Sequence, residues 1–140
     1  MNVVSKLAVI LIMSITTHVT NAQSGYNLTV TIENAKSNDG KMMIALYDNA
    51  SDFLENELKG LFSKISNNGC VVTFENVPEG IYAVSIFHDE NDNDKLDSNI
   101  IGIPKEDYGC SNNAKGFMGP PKWKDAKFEL KADKSITITL

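Results

Sequence analysis

Ile81-Tyr82-Ala83-Val84-Ser85-Ile86-Phe87-His88 decides the fold. Tyr82, Val84 and Ile86 alternate with Ile81, Ala83 and Phe87, so the segment is apolar on both faces, as a central strand covered on two sides should be. The flanking segments are half-buried strands. Upstream, Leu28, Val30 and Ile32 alternate with Thr29, Thr31 and Glu33. Asn38-Asp39-Gly40 then offers the backbone freedom of a type I′ turn into Lys41 to Tyr47, which predicts a hairpin. Ser51 to Leu58 reads as one short helix opened by Ser51 or Asp52, with Phe53, Leu54 and Leu58 toward the core and Gly60 past its end. Asn67-Asn68-Gly69 separates Leu61 to Ser66 from Cys70 to Glu75 as a second hairpin signal, and residues 76–80 turn into the central strand. At the C-terminus Ala126, Phe128 and Leu130, then Ile136, Ile138 and Leu140, alternate with polar residues. The expectation is an all-β fold, a seven-stranded antiparallel β-sandwich with one short helix.

The chain has 140 residues, 42% of them hydrophobic and 22% charged, enough for one domain with a real core. Its 13 basic residues are all lysines, set against 18 acids for a net charge of -5. Without the arginine forks that read phosphates and bases, this composition argues against nucleic acid as a partner.

Residues 1–22 have the form of a cleaved signal peptide. Lys6 supplies the charged start, Leu7 to Ile15 the apolar run, and Thr20-Asn21-Ala22 the small-residue site before Gln23. The run falls short of the roughly 20 residues a spanning helix needs. The expected product is a single domain over residues 23–140, exported to the periplasm or beyond the cell, without membrane insertion. Cys70 and Cys110, the only cysteines, allow one disulfide in such a compartment, worth about 4 kcal/mol in the chain-entropy model. The alternative is two unpaired thiols packed as small hydrophobes.

Between Asp89 and Lys124 neither period is present, and the stretch far exceeds a connection of roughly 4–6 residues, so it is expected to be a long ordered loop. It opens on Asp89-Glu90-Asn91-Asp92-Asn93-Asp94-Lys95-Leu96-Asp97. Asp89, Asn91, Asn93, the Lys95 carbonyl and Asp97 fall at positions 1, 3, 5, 7 and 9 of a calcium loop. Position 6 is Asp94 where an EF-hand has glycine, and position 12 is Ile100 where it has a bidentate glutamate, so this is not an EF-hand. Glu106 or Asp107 are candidates to complete the sphere, with affinity expected at roughly 10⁻⁴ to 10⁻³ M. The alternative is a solvated turn in which Asp and Asn cap their own backbone. Zinc is disfavoured by a single histidine past the leader.

Further along, Tyr108, Phe117 and Trp123 are candidates for stacking on a glycan or on a partner's proline. The stronger expectation is that such a loop packs its aromatics against the sandwich as a lid. His88 has no serine, cysteine or second histidine placed beside it by sequence, so no nucleophilic triad can be assembled.

The segments His88-Asp89-Glu90-Asn91, Lys95-Leu96-Asp97, Gly102-Ile103-Pro104-Lys105-Glu106, Tyr108-Gly109, Ser111-Asn112-Asn113-Ala114 and Gly119-Pro120-Pro121 resemble the signature of a bacterial exported family, domain of unknown function 2141. The resemblance runs from Leu28 onward and implies export, a prealbumin- or transthyretin-like sandwich and no established activity. The family pattern commonly has glycines where this chain has Asp92 and Asp94, and Cys110 lies outside the common motif.

The leading expectation is therefore a non-enzymatic exported sandwich. Its acidic loop is stabilised by calcium, and it has a binding or accessory role toward an envelope protein or glycan. The alternatives are a hydrolase using His88 as base in a cleft beside the acidic loop, oriented by Asp89 or Glu90, and a purely structural envelope component. Transthyretin-like hydrolases use several histidines and an arginine, which this chain lacks.

Overall fold

The computed structural model describes residues 25–140. The expected leader over residues 1–22 lies outside them. Eight strands form two sheets: β1 (Tyr26–Glu33), β2 (Lys41–Tyr47), β3 (Lys59–Ser63), β4 (Cys70–Val77), β5 (Gly80–Asp89), β6 (Tyr108–Cys110), β7 (Phe128–Leu130) and β8 (Lys134–Thr139). One sheet has the order β4-β1-β8. The other runs β3-β2-β5-β6, with β7 also paired to β5.

Alternation places each strand's apolar side as the pattern requires. Leu28, Val30 and Ile32 of β1 meet Met42, Ile44 and Leu46 of β2 and Val84 and Ile86 of β5 in one core between the sheets, closed by Phe74, Leu130 and Ile138. All of these are essentially buried. At 25 cal/mol per Å², each such side chain contributes about 1.5–3 kcal/mol relative to exposure.

The all-β expectation holds, with corrections. Strands number eight because β6, only three residues long, is too short to show a period. One pair is not antiparallel: β8 runs parallel to β1, from Leu28 opposite Lys134 to Glu33 opposite Thr139. The expected hairpins do not form either, because β1 and β2 lie in different sheets, as do β3 and β4. The turn chemistry is correct locally. Asn67 (φ 51°) and Asn68 (φ 59°) form a left-handed pair closed by two hydrogen bonds between Ser66 and Gly69, after which the strands part into opposite sheets. The linker after β1 is tied to this turn, since the Asn68 side chain donates to the Ala35 carbonyl at 2.6 Å and Asn38 accepts the Asn68 N–H at 2.9 Å.

The helix expected over Ser51 to Leu58 is instead a chain of turns. Leu54 sits at φ 66°, which no α-helix tolerates, and Leu58 is exposed. Asn49 makes the cap, accepting the Asp52 N–H at 3.0 Å. Among the described residues, helical structure is limited to a 3-10 turn, Ser111–Asn113, and a single α-turn, Trp123–Ala126.

Strand β5 is central, as its two apolar faces require. It pairs with β2 over residues 83–89 on one edge, and on the other with β6 over Ser85 to Phe87 and β7 over Gly80 to Tyr82. Where β6 stops and β7 has not begun, the buried Ser111 hydroxyl fills the gap. It accepts the Val84 N–H at 2.9 Å and donates to the Ala126 carbonyl at 2.6 Å.

Candidate functional site

Two features occupy the outer face and one end of the five-stranded sheet. The first is the acidic loop. Asp89, the last residue of β5, is fully buried, and its carboxylate points into the loop, accepting the Asn93 N–H at 3.1 Å and the Asp94 N–H at 2.9 Å. Asp97 gathers the two asparagine side chains, Asn91 at 2.6 Å and Asn93 at 3.0 and 3.1 Å. Four of the five predicted positions thus turn toward the inside of one loop. At the fifth, Lys95 donates its N–H to the Asn93 side-chain oxygen.

The two more distant candidates divide. Glu106 is buried and clamps the loop, one carboxylate oxygen on the Glu90 N–H and the other on the Asp97 N–H, each at 3.0 Å. Asp107 is not part of the loop; it pairs with Lys36 at 2.9 Å and lends its carbonyl to the His88 N–H.

Sequence reasoning missed Lys41. It faces Asp89 across the β2–β5 ladder, and its ammonium lies 2.6 Å from Asp94, 3.3 Å from Asp92 and 3.8 Å from Asp89. Hydrogen bonding to Asp94, and then to Asp92, raises its pKa, while desolvation pulls the other way. The acids crowded into residues 89–97, Asp89, Glu90, Asp92, Asp94 and Asp97, are thus partly offset by a lysine some fifty positions upstream. Asp92 (φ 57°) and Asp94 (φ 63°) both hold left-handed backbone, the region that favours glycine. Here the chain accepts roughly 1 kcal/mol of strain at each and places a carboxylate on Lys41. Gly40, at φ 63°, is required beside them, since a Cβ there would lie 1.9 Å from the Asp89 carbonyl oxygen.

Calcium requires oxygen donors with a common focus. Asp89, Asn91, Asn93 and Asp97 fit in part. They converge, and an asparagine amide turned about its last bond offers a carbonyl where it now offers N–H. Among the described residues, no three His, Cys, Asp or Glu side chains come together closely enough to hold an ion by themselves. Lys41 supplies positive charge at the same place.

The second feature is a groove of about 1500 Å³ over the outer face of the five-stranded sheet. Met43 and Ala45 of β2 and Ser85 and Phe87 of β5 floor it. One wall is an aromatic ladder: Tyr47 meets Phe53 edge-on at 5.3 Å, and Phe53 meets Trp123 at 5.8 Å. The opposite wall comes from the long loop, through Leu96, Ile101, Ile103 and Met118. The three aromatic candidates therefore part company. Trp123 packs as the lid expectation holds, Tyr108 lines the groove half-exposed, and Phe117 stands 90% exposed outside it.

Two expectations are corrected. Cys70 and Cys110 are free thiols, because Cys70 packs against the core between the sheets while Cys110 lies in a second small cluster with Ala83 and Ala126. Burial pushes the Cys110 thiol up to about 11. His88 is in no cleft. It is wholly buried, its Nε2 donates to the Asp39 carbonyl at 2.7 Å, and its Nδ1 is buried with no partner. A base must reach its substrate's proton, and this ring is sealed from any.

One face of the main sheet thus serves the core, while the other is left as a groove beside a self-capped acidic loop; the protein is an all-β sandwich of two sheets. The chain belongs to the family of uncharacterized proteins conserved in bacteria, DUF2141, whose model matches residues 30–139. No curated protein and no solved structure gives a significant match.

Proposed function

We propose that this chain is an exported, non-enzymatic binding protein of prealbumin-like build that holds an apolar ligand in the groove over its five-stranded sheet. The groove carries this reading. An outer sheet face that met only water would present polar residues, whereas this one presents Met43, Ala45 and Phe87 between an aromatic and an aliphatic wall. The sealed position of His88 supports a binding role over the hydrolase alternative. The leader pattern of residues 1–22 supports export. Calcium at Asp89, Asn91, Asn93 and Asp97 has a supporting role in this reading: it fixes the base of the strap that forms the aliphatic wall.

Trp123 is the only tryptophan and lines the groove, so it reports on occupancy. An apolar fluorescent dye, anilinonaphthalene sulfonate, should bind saturably to a chain beginning at Gln23 and quench Trp123. Ala45→Phe, which fills the floor, should abolish both signals while leaving the fold intact by circular dichroism. Dye binding that is absent, or indifferent to Ala45→Phe, removes the groove from the account. The ion is tested separately: millimolar calcium should raise Tm, and Asp97→Ala should cancel the rise. A Tm that does not move with calcium leaves the strap to Lys41 and its own hydrogen bonds.

A further inference from the structure

Strand register gives the floor of the groove a shape. On the outer face of the five-stranded sheet Gly60 lies opposite Ala45, Ala45 opposite Ser85, and Ser85 opposite Cys110, so a row of small side chains crosses four strands. Beside it, and also in register, runs a row of large ones: Phe62, Met43, Phe87 and Tyr108. On its other side stand Tyr47, Phe53 and Trp123. The small row is therefore a trough between two ridges, roughly 14 Å long at the usual spacing of neighbouring strands. An extended hydrocarbon chain lying across the strands fits such a trough.

The ends of the trough differ. At one end, Glu57 reaches back over the sheet, its carboxylate oxygen 3.7 Å from where a Cβ on Gly60 would lie. At the other is the Cys110 thiol, which burial keeps protonated, its pKa pushed up to about 11. Between them the hydroxyls of Tyr47 and Ser85 bond each other at 3.2 Å and have no other partner among the described residues. Tyr47 is only 6% exposed, so this pair brings unused lone pairs into an otherwise apolar floor.

Charge selects the head group. Three carboxylates and one lysine line the groove: Glu55, Glu57, Asp94 and Lys122. Asp94 already holds Lys41, whereas Glu55 and Glu57 are exposed and in no ion pair among the described residues. The surroundings have the same sign. Residues 48–57 hold four carboxylates and no lysine, and residues 89–125 hold eight carboxylates and five lysines. A groove in a negative field disfavours an anionic amphiphile and attracts a cationic one. The aromatic wall acts in the same direction, because the turns that present Phe53 also present Glu55 and Glu57, and ring faces attract organic cations.

We propose that the groove selects a cationic amphiphile, with its alkyl chain in the trough and its ammonium group held between Glu55, Glu57 and the aromatic wall. This rests on the groove being a ligand site and adds the class of ligand.

The test is calorimetric titration of a chain beginning at Gln23, which contains both sheets and the whole described core, with ligands that share one alkyl chain: octyltrimethylammonium, octanol and octanoate, each below its micellar concentration. The cation should bind about tenfold more tightly than octanol, and octanoate more weakly than either. High salt should narrow the differences. Glu55→Gln with Glu57→Gln should bring the affinity for the cation down to that for octanol; both residues are exposed, so an unchanged Tm certifies the fold. Phe53→Leu, which keeps the wall apolar but removes a ring, should weaken the cation severalfold more than octanol. A cation bound no more tightly than octanol overturns the proposal and leaves the groove as a ligand site, as does a preference that ignores the glutamate variant. Binding of none of the three removes the groove reading, and this inference with it.

Discussion

Lys41 and Asp89 are cross-strand partners at the end of the β2–β5 ladder, and the lysine extends past Asp89 to bond Asp94 at 2.6 Å. One ammonium thus joins the sheet to the loop that leaves it. Lys41→Met should lower Tm, more at low salt than at high, and should enlarge the stabilisation given by calcium, because three aspartates lose their shared cation. The pairing raises the native pKa of Lys41, so its contribution is complete below the ordinary lysine value of 10.5 and lost as pH rises through the higher native value. Thermal melts across salt, calcium and pH check all three; a calcium response equal in both proteins would separate Lys41 from the ion.

Asp89→Ala removes the acceptor of two backbone N–H groups and leaves Lys41 facing a gap. Losing a buried, charged acceptor costs about 2–4 kcal/mol, which urea unfolding would read directly. Asp89→Asn should recover only part of this, since its amide keeps one acceptor and turns a donor toward the other N–H. Full stability in Asp89→Ala would show the loop to be held from elsewhere.

Ser111→Ala should cost about 1.5–3 kcal/mol, because the buried Val84 N–H and Ala126 carbonyl each lose their partner on a site too enclosed for easy hydration. The change should be local. Hydrogen exchange at Val84 and along β6 and β7 should quicken well before exchange at Val30 or Ile44. Uniform acceleration across both sheets would contradict the bridging role.

Strand positions were readable because period two survives in β1, β2, β4 and β8, which bury alternate side chains in one core, and because β5 is a short apolar run buried on both faces. Sheet membership was not, for a turn such as Asn67-Asn68 specifies a reversal of the chain and leaves open which sheet the next strand joins. The acidic loop was legible through the Asp89, Asn91, Asn93, Asp97 spacing, since local capping depends only on local sequence. Lys41 was not, because its role depends on the long-range pairing of β2 with β5. Of the exposed apolar side chains on the long loop, Phe117 was among the aromatic candidates, whereas Ile100, Ile101 and Met118 were not, because their exposure follows from turn geometry that composition does not carry.

Cys70 and Cys110, placed in separate clusters, should both react with a thiol reagent once the protein is unfolded without reductant, whereas a native bridge would leave neither. Cys110 also imposes a pH dependence. Its native value of about 11 stands above the ordinary 9.0, so the folded state keeps a proton that the unfolded chain gives up. Below pH 9 this changes nothing, and stability then falls as pH rises through the native value, by roughly 3 kcal/mol in all at 1.36 kcal/mol per unit. Lysines and tyrosines titrate in the same window, so the informative quantity is the difference between wild type and Cys110→Ala in urea unfolding. That difference should shrink from pH 8.5 to pH 11, because the variant has no buried thiol left to ionise. Parallel curves across the window would mean that the Cys110 site is open enough to hydrate a thiolate, and that the second cluster is looser than its packing against Phe53 and Trp123 implies.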